Sequence, residues 1–176
     1  RERLRALYDF CVTEIKDGWN NPTQTLRKKE GSVEDLFLAL ARGAGLKPMR
    51  AHFRRFPNFH AEWDMTPLSF AGSLVSVPIE GAGEVLFPHR FVPFGVFPGE
   101  ACGCEGLLVS RRSARWITLP VLPSEEVGGC IRGTIEVLPD GTADVEGSVV
   151  LGGAMAAQMR LWFERGMSKA MRKMAI

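Results

Sequence analysis

The chain has 176 residues, 45% hydrophobic and 24% charged, which is enough apolar material for a packed core and rules out a disordered segment. Its 22 basic residues nearly cancel its 20 acidic ones, and a net charge of +2 gives no field that would favour nucleic acid or anionic lipid. No apolar run approaches the ~20 residues needed to cross a bilayer, so direct membrane insertion is not expected, and the opening Arg-Glu-Arg-Leu-Arg is not a signal peptide.

Leu4, Leu7, Tyr8, Cys11 and Ile15 recur at helical spacing and predict a helix over 3–17, stopped by Gly18. Asn20-Asn21-Pro22 reads as the opening of a loop. Ser32, with Asp35 three residues on, gives a capping-box-like start to a second helix over 32–44. The run of Leu36, Phe37, Leu38, Leu40 and Ala41 is apolar nearly all round, as in a buried helix, and Gly43 and Gly45 end it.

From Met49 the pattern changes to short strands, at 49–53, 73–77 and 84–87, the last two forming a hairpin around Gly81-Ala82-Gly83. An irregular loop is expected over 57–67, and a Pro-, Gly- and Phe-rich loop over 88–104. Further strands at 106–110 and 115–119 complete a domain over 1–120, with 120–129 as a linker. Beyond it, strands at 131–138 and 142–151 flank Pro139-Asp140-Gly141, and a Met-rich helix follows over 154–173. This hairpin and helix, 121–176, cannot bury enough surface to stand alone and must dock on the first domain or belong to a larger unit. The missing initiator Met and the basic end at Ile176 point the same way, to a piece of a longer chain.

Chemistry-bearing residues are scattered. Cys102 and Cys104 have no partner pair, Cys11 lies on a helical apolar stripe, Cys130 begins a strand, and His52, His60 and His89 are far apart. A zinc site needs close ligand pairs, so no metal or other cofactor is expected. Arg54-Arg55, Arg111-Arg112 and Arg115 are short basic clusters that read as solvated surface.

Gly31-Ser32-Val33-Glu34-Asp35 leading into an apolar helix that ends in Ala44-Gly45-Leu46 resembles the nucleophile helix of transglutaminase-like proteins. The strands around 78–83, Leu86-Phe87-Pro88 and the following Phe94-Gly95-Val96-Phe97-Pro98 resemble that family's His-strand, Asp-strand and trailing loop. The stretch 133–160 is similar to the β-rich tail of an exported bacterial branch in which a β-sandwich precedes this domain. The resemblance implies an α+β, transglutaminase-like (papain-like) fold and a periplasmic or extracellular protein. In that fold a helix N-terminus lowers a thiol's pKa, while a His and an Asp on neighbouring strands activate it. Here the Cys position falls on Ser32 or Val33, the His position near Ala71-Gly72 and the Asp position on Phe87, so all three groups are missing.

Ser32 is explained as a helix cap, and His60 beside Glu62 and Asp64 as a loop histidine. The one shifted dyad that merits a test is Ser32 with His89. Phe87, Phe91, Phe94 and Phe97 either plug the remnant cleft or line it, and Trp19, Trp63, Trp116 and Trp162 are candidates for a ligand groove. Met155, Met159, Met167, Met171 and Met174 form a contact face for a partner or for packing. The expected function is a non-catalytic scaffold or a module binding protein, peptide or glycan, with other domains of the same chain as partners. The alternatives are a hydrolase or acyltransferase with a relocated nucleophile, and a spacer without a ligand.

Overall fold

The computed structural model describes residues 1–54, 70, 72–79, 82–110 and 113–166. The expected loop over 57–67, with His60, Glu62, Trp63 and Asp64, lies outside the described residues, as does the end of the last helix. The protein is α+β. Helix α1 (Glu2–Glu14) buries Leu4, Tyr8, Cys11 and Val12 on one stripe. It feeds β1 (Lys16–Asp17), which pairs in parallel with β2 (Glu30–Gly31). Between these two strands the chain does not loop as the sequence suggested. Pro22, already fixed in φ, takes the first position of helix α2 (Pro22–Lys28), and the Asn21 side chain caps it by accepting the Gln24 amide at 3.0 Å. Helix α3 (Val33–Gly43) buries Val33, Leu36, Phe37, Leu38 and Ala41 and stops where Gly45 turns left-handed at φ +81°.

Five antiparallel strands follow: β3 (Met49–Phe53), β4 (Gly72–Ile79), β5 (Ala82–Leu86), β6 (Glu105–Val109) and β7 (Ala114–Thr118), in the order β5-β4-β3-β6-β7. Alternation divides the sheet into two faces. Val75, Val77 and Leu86 join the buried side chains of α1 and α3 in one core. Ala51, Phe53, Leu74 and Leu108 point the other way and pack with Phe97, Ala101 and Leu119 in a second. The Phe-rich stretch 87–104 therefore forms the cover over the second face, with a 3₁₀ turn at Gly99–Ala101.

The linker contains one helical turn, α4 (Ser124–Val127), before the hairpin of β8 (Gly129–Val137) and β9 (Ala143–Leu151) and helix α5 (Gly153–Gly166). Helix α5 seats its small residues Ala154 and Ala157 against Val92 and Val96 of the covering loop. The hairpin's side chains stand exposed along nearly its whole length.

Tyr8 ties the helices to the loop. Its ring packs edge-on against Phe37 and Phe94, at centroid distances of 5.7 and 5.4 Å. Its hydroxyl donates to the Phe87 carbonyl at 2.8 Å, with the Val92 and Pro93 carbonyls at 3.2 and 3.3 Å. Burial, reinforced by Asp9, pushes the phenol's pKa up, so the group stays a neutral donor. Replacing Tyr8 by Phe removes this donor, with the Phe87 and Pro93 carbonyls keeping the His89 and Val96 amides, and should cost about 1–3 kcal/mol, read from the urea midpoint. A loss below ~0.5 kcal/mol would mean that ring packing alone holds the loop.

Candidate functional site

The N-terminal end of α3 borders a cleft of about 430 Å³ lined by the β1–α2 segment, the first turn of α3 and the chain leaving β5. Its floor is set by steric necessity. A Cβ at Gly31 would lie 2.0 Å from Thr25 Oγ1 and 2.9 Å from Thr25 Cβ, so only glycine fits there. Thr25 is held in that place by donating to the Asn20 and Asn21 carbonyls, at 3.1 and 2.9 Å. The next residue, Ser32, caps α3: its Oγ accepts the Asp35 amide at 3.1 Å.

Glu34 and Asp35 complement the helix dipole in the first turn and reach the sheet. Arg50 of β3 bridges them, Nε to Glu34 Oε1 at 2.5 Å and one guanidinium nitrogen to Asp35 Oδ1 at 2.6 Å. Ser73 Oγ of β4 donates to the second Glu34 oxygen at 2.6 Å. Partial burial works against the Arg50 charge, but the two carboxylates outweigh it and its pKa is raised. The carboxylates at the helix start are thus already engaged, and they fix the helix against the sheet.

Phe87, Pro88 and His89 form the opposite wall. The His89 ring lies flat on Phe87, with centroids 5.3 Å apart and planes 5° apart. Burial lowers the His89 pKa, partly opposed by a backbone hydrogen bond at Arg90, so the imidazole is neutral near pH 7. Trp19 stands at the rim, fully exposed, beside Asn20 and Asn21.

Of the three positions singled out in the sequence, Ser32 and Phe87 line this cleft and Gly72 does not. Gly72 pairs with Phe53 and lies on the sheet face turned away from α3, where a Cβ would come within 3.0–3.1 Å of the Phe53 ring. The strand residue that faces α3 is its neighbour Ser73, because one step along a strand reverses the face. Val33, the alternative to Ser32, is buried at the first position of α3. Ser32 and His89 share the cleft, yet no hydrogen bond joins them, and the Ser32 Oγ meets the Asp35 amide instead.

The Phe-rich stretch neither plugs nor lines the cleft as a unit. Phe87 lines it, Phe94 packs on Tyr8, Phe97 is buried under the sheet, and Phe91 packs beside Val92 and Val96. Cys11 is buried in the helical core, its thiol pushed up to about 12 by burial, which suits packing and not nucleophilic chemistry. Cys104 is buried with its thiol against the Glu100 carbonyl at 3.1 Å, and its pKa is raised by burial. His52 sits on β3 beside Phe70, at 5.7 Å between ring centroids, and does not line the cleft. Among the described residues no group of three or more His, Cys, Asp or Glu could hold a metal, and no helix is long and apolar enough to cross a membrane.

Sequence reading missed the Glu34–Arg50–Ser73 network and the exposure of Trp19. The first was available in principle, since Arg50 and Ser73 occupy helix-facing strand positions, but only once the strand register was known. A comparison with known proteins finds no matching family model, no matching curated protein and no matching solved structure.

The lowered pKa values of His89 and His52 carry a pH signature. Unfolding returns both imidazoles to their ordinary value of about 6.5, so below it the unfolded chain binds more protons than the native one. Stability is therefore fully present above about pH 6.5 and falls as the pH drops toward the folded-state values. Urea midpoints from pH 7.5 to 5 should decline, and more shallowly in His89→Gln; an unchanged slope in that variant would place the effect elsewhere.

Proposed function

We propose that this chain is a non-catalytic module of transglutaminase-like architecture that binds an extended peptide or glycan in the cleft at the start of α3. The observation that carries the reading is the composition of that cleft. The helix N-terminus is there, but its first residues are a capping serine and a buried valine, and the facing strand residue is Ser73. Among the described residues no thiol lines the cleft, and the one imidazole that does is stacked on Phe87. What the cleft does offer is an exposed indole, the Asn20 Oδ1 and Asn21 Nδ2 atoms left over from local hydrogen bonds, and an aromatic wall, a surface suited to stacking and hydrogen bonding. Placement in a larger exported bacterial protein rests on the sequence resemblance alone.

A titration with chitotetraose and with a neutral tetrapeptide, followed by Trp fluorescence and amide shifts, tests the reading. Saturable binding of either, weakened at least ~10-fold in Trp19→Ala, supports it. The absence of any response to both probes favours a spacer without a ligand.

One observation favours a second reading, a hydrolase or acyltransferase: Ser32 and a neutral His89 line the same cleft. Fluorophosphonate labelling distinguishes the two. Under the binding-module reading the wild-type chain is not labelled. Labelling that disappears in both Ser32→Ala and His89→Gln would establish an active dyad instead.

A further inference from the structure

The β8–β9 hairpin has two chemically distinct faces. Cross-strand pairing places Ile131 with Val149, Gly133 with Gly147, Ile135 with Val145, Val137 with Ala143 and Gly129 with Leu151, all on one face. That face carries no charge and no hydroxyl. The other face holds Arg132, Thr134, Glu136, Asp144, Glu146 and Ser148, with Cys130 and Val150 at its end. Side-chain alternation of this quality is what a sheet shows when one face is buried. Here Ile131, Ile135, Val137, Val145 and Val149 are between 59% and 80% exposed. The apolar strip runs on through Leu151 to Met155 of α5, whose sulfur lies 3.6 Å from the Cβ position at Gly129.

We propose that this face is a self-association surface, closed by the same face of a second copy of the chain. Three features select that occupant. The strip presents on the order of 500 Å² of apolar area per copy, so two faces together would bury about 1,000 Å², where specific association begins. The face is uncharged, so a two-fold arrangement brings no like charges together. It is also patterned evenly about its middle. The Ile131–Val149 and Ile135–Val145 pairs stand on either side of the Gly133–Gly147 pair.

A Cβ at Gly133 would lie 2.9 Å from the Glu146 carbonyl oxygen, too close to fit without a shift, and one at Gly147 would sit tightly, 3.1 Å from that of Arg132. The consequence of these two glycines is a notch across the centre of the apolar face. Two twisted ribbons crossing near right angles meet most closely at one point, and a notch at that point lets the backbones approach while the flanking Ile and Val interdigitate. A lipid surface is disfavoured by charge: the polar face sets Glu136, Asp144 and Glu146 against the single Arg132, with no basic rim for anionic headgroups.

Analytical ultracentrifugation of the full chain from 1 to 200 μM tests this. The wild-type chain should approach twice the monomer mass, and Ile135→Lys should weaken association about 100-fold with unchanged far-UV circular dichroism. Thr134→Lys, on the polar face, should associate like wild type. Because Ile135→Lys could unpair the hairpin, hydrogen exchange of the wild-type β8 and β9 amides gives a second reading, with protection that rises with protein concentration. A wild-type chain that stays monomeric at 200 μM, with exchange independent of concentration, overturns the proposal and assigns the face to a different partner. Equal loss of association in Thr134→Lys overturns it as well.

Discussion

The buried Tyr8 hydroxyl is the contact on which the rest of the arrangement depends. It lies inside the helical core, yet its acceptors are carbonyls of the segment that leaves β5. That segment then has three roles. Its first residues, Phe87 to His89, wall the cleft; Val92 and Val96 receive α5; and Phe97 fills the core beneath the opposite sheet face. A loop with few backbone ladder bonds needs such an anchor, because unpaired carbonyls inside a protein are costly. One phenol therefore couples the helical layer, the cleft wall and the docking of the C-terminal helix.

The second constraint is the alternation of strand faces. Arg50 and Ser73 reach the acidic first turn of α3 because they sit on the helix-facing side of β3 and β4. Gly72, one residue earlier, belongs to the side occupied by Phe53. A polar group there would look into an apolar core and not into the cleft, whatever its chemistry. Any functional argument about this strand therefore turns on a single-residue register, and Ser73 is the position that matters.

Much of the fold was legible in the sequence, for identifiable reasons. The α3 helix has a cap, an apolar run and a glycine stop, and all three are found. The strands carry β-branched and aromatic residues between turn residues, and the hairpin of β8 and β9 turns at Pro139-Asp140-Gly141 as read. Helix α2 was not seen because its sequence, Pro-Thr-Gln-Thr-Leu-Arg-Lys, has too little apolar content for periodicity to speak. Its capping Asn21 and first-turn Pro22 were instead the usable signal. Of the residues named from the sequence, Ser32, Phe87 and His89 line the cleft, the first marked by capping and the others by a strand end. Trp19, one of four tryptophans named for a groove, lines it too, whereas Gly72 does not, because strand register is set by tertiary packing.

The features that make the start of α3 resemble a catalytic helix have structural causes that hold without any chemistry. Gly31 is fixed by the volume of Thr25, Ser32 by the orphan amides of α3, and Glu34 and Asp35 by the helix dipole and by Arg50. A chain selected only to keep this corner folded would retain all four. Their presence accordingly says nothing in favour of catalysis, whereas the fully exposed Trp19 has no such folding reason. An indole in water loses the burial that would stabilise it. Of the side chains around the cleft, Trp19 is therefore the one whose position argues most directly for a ligand.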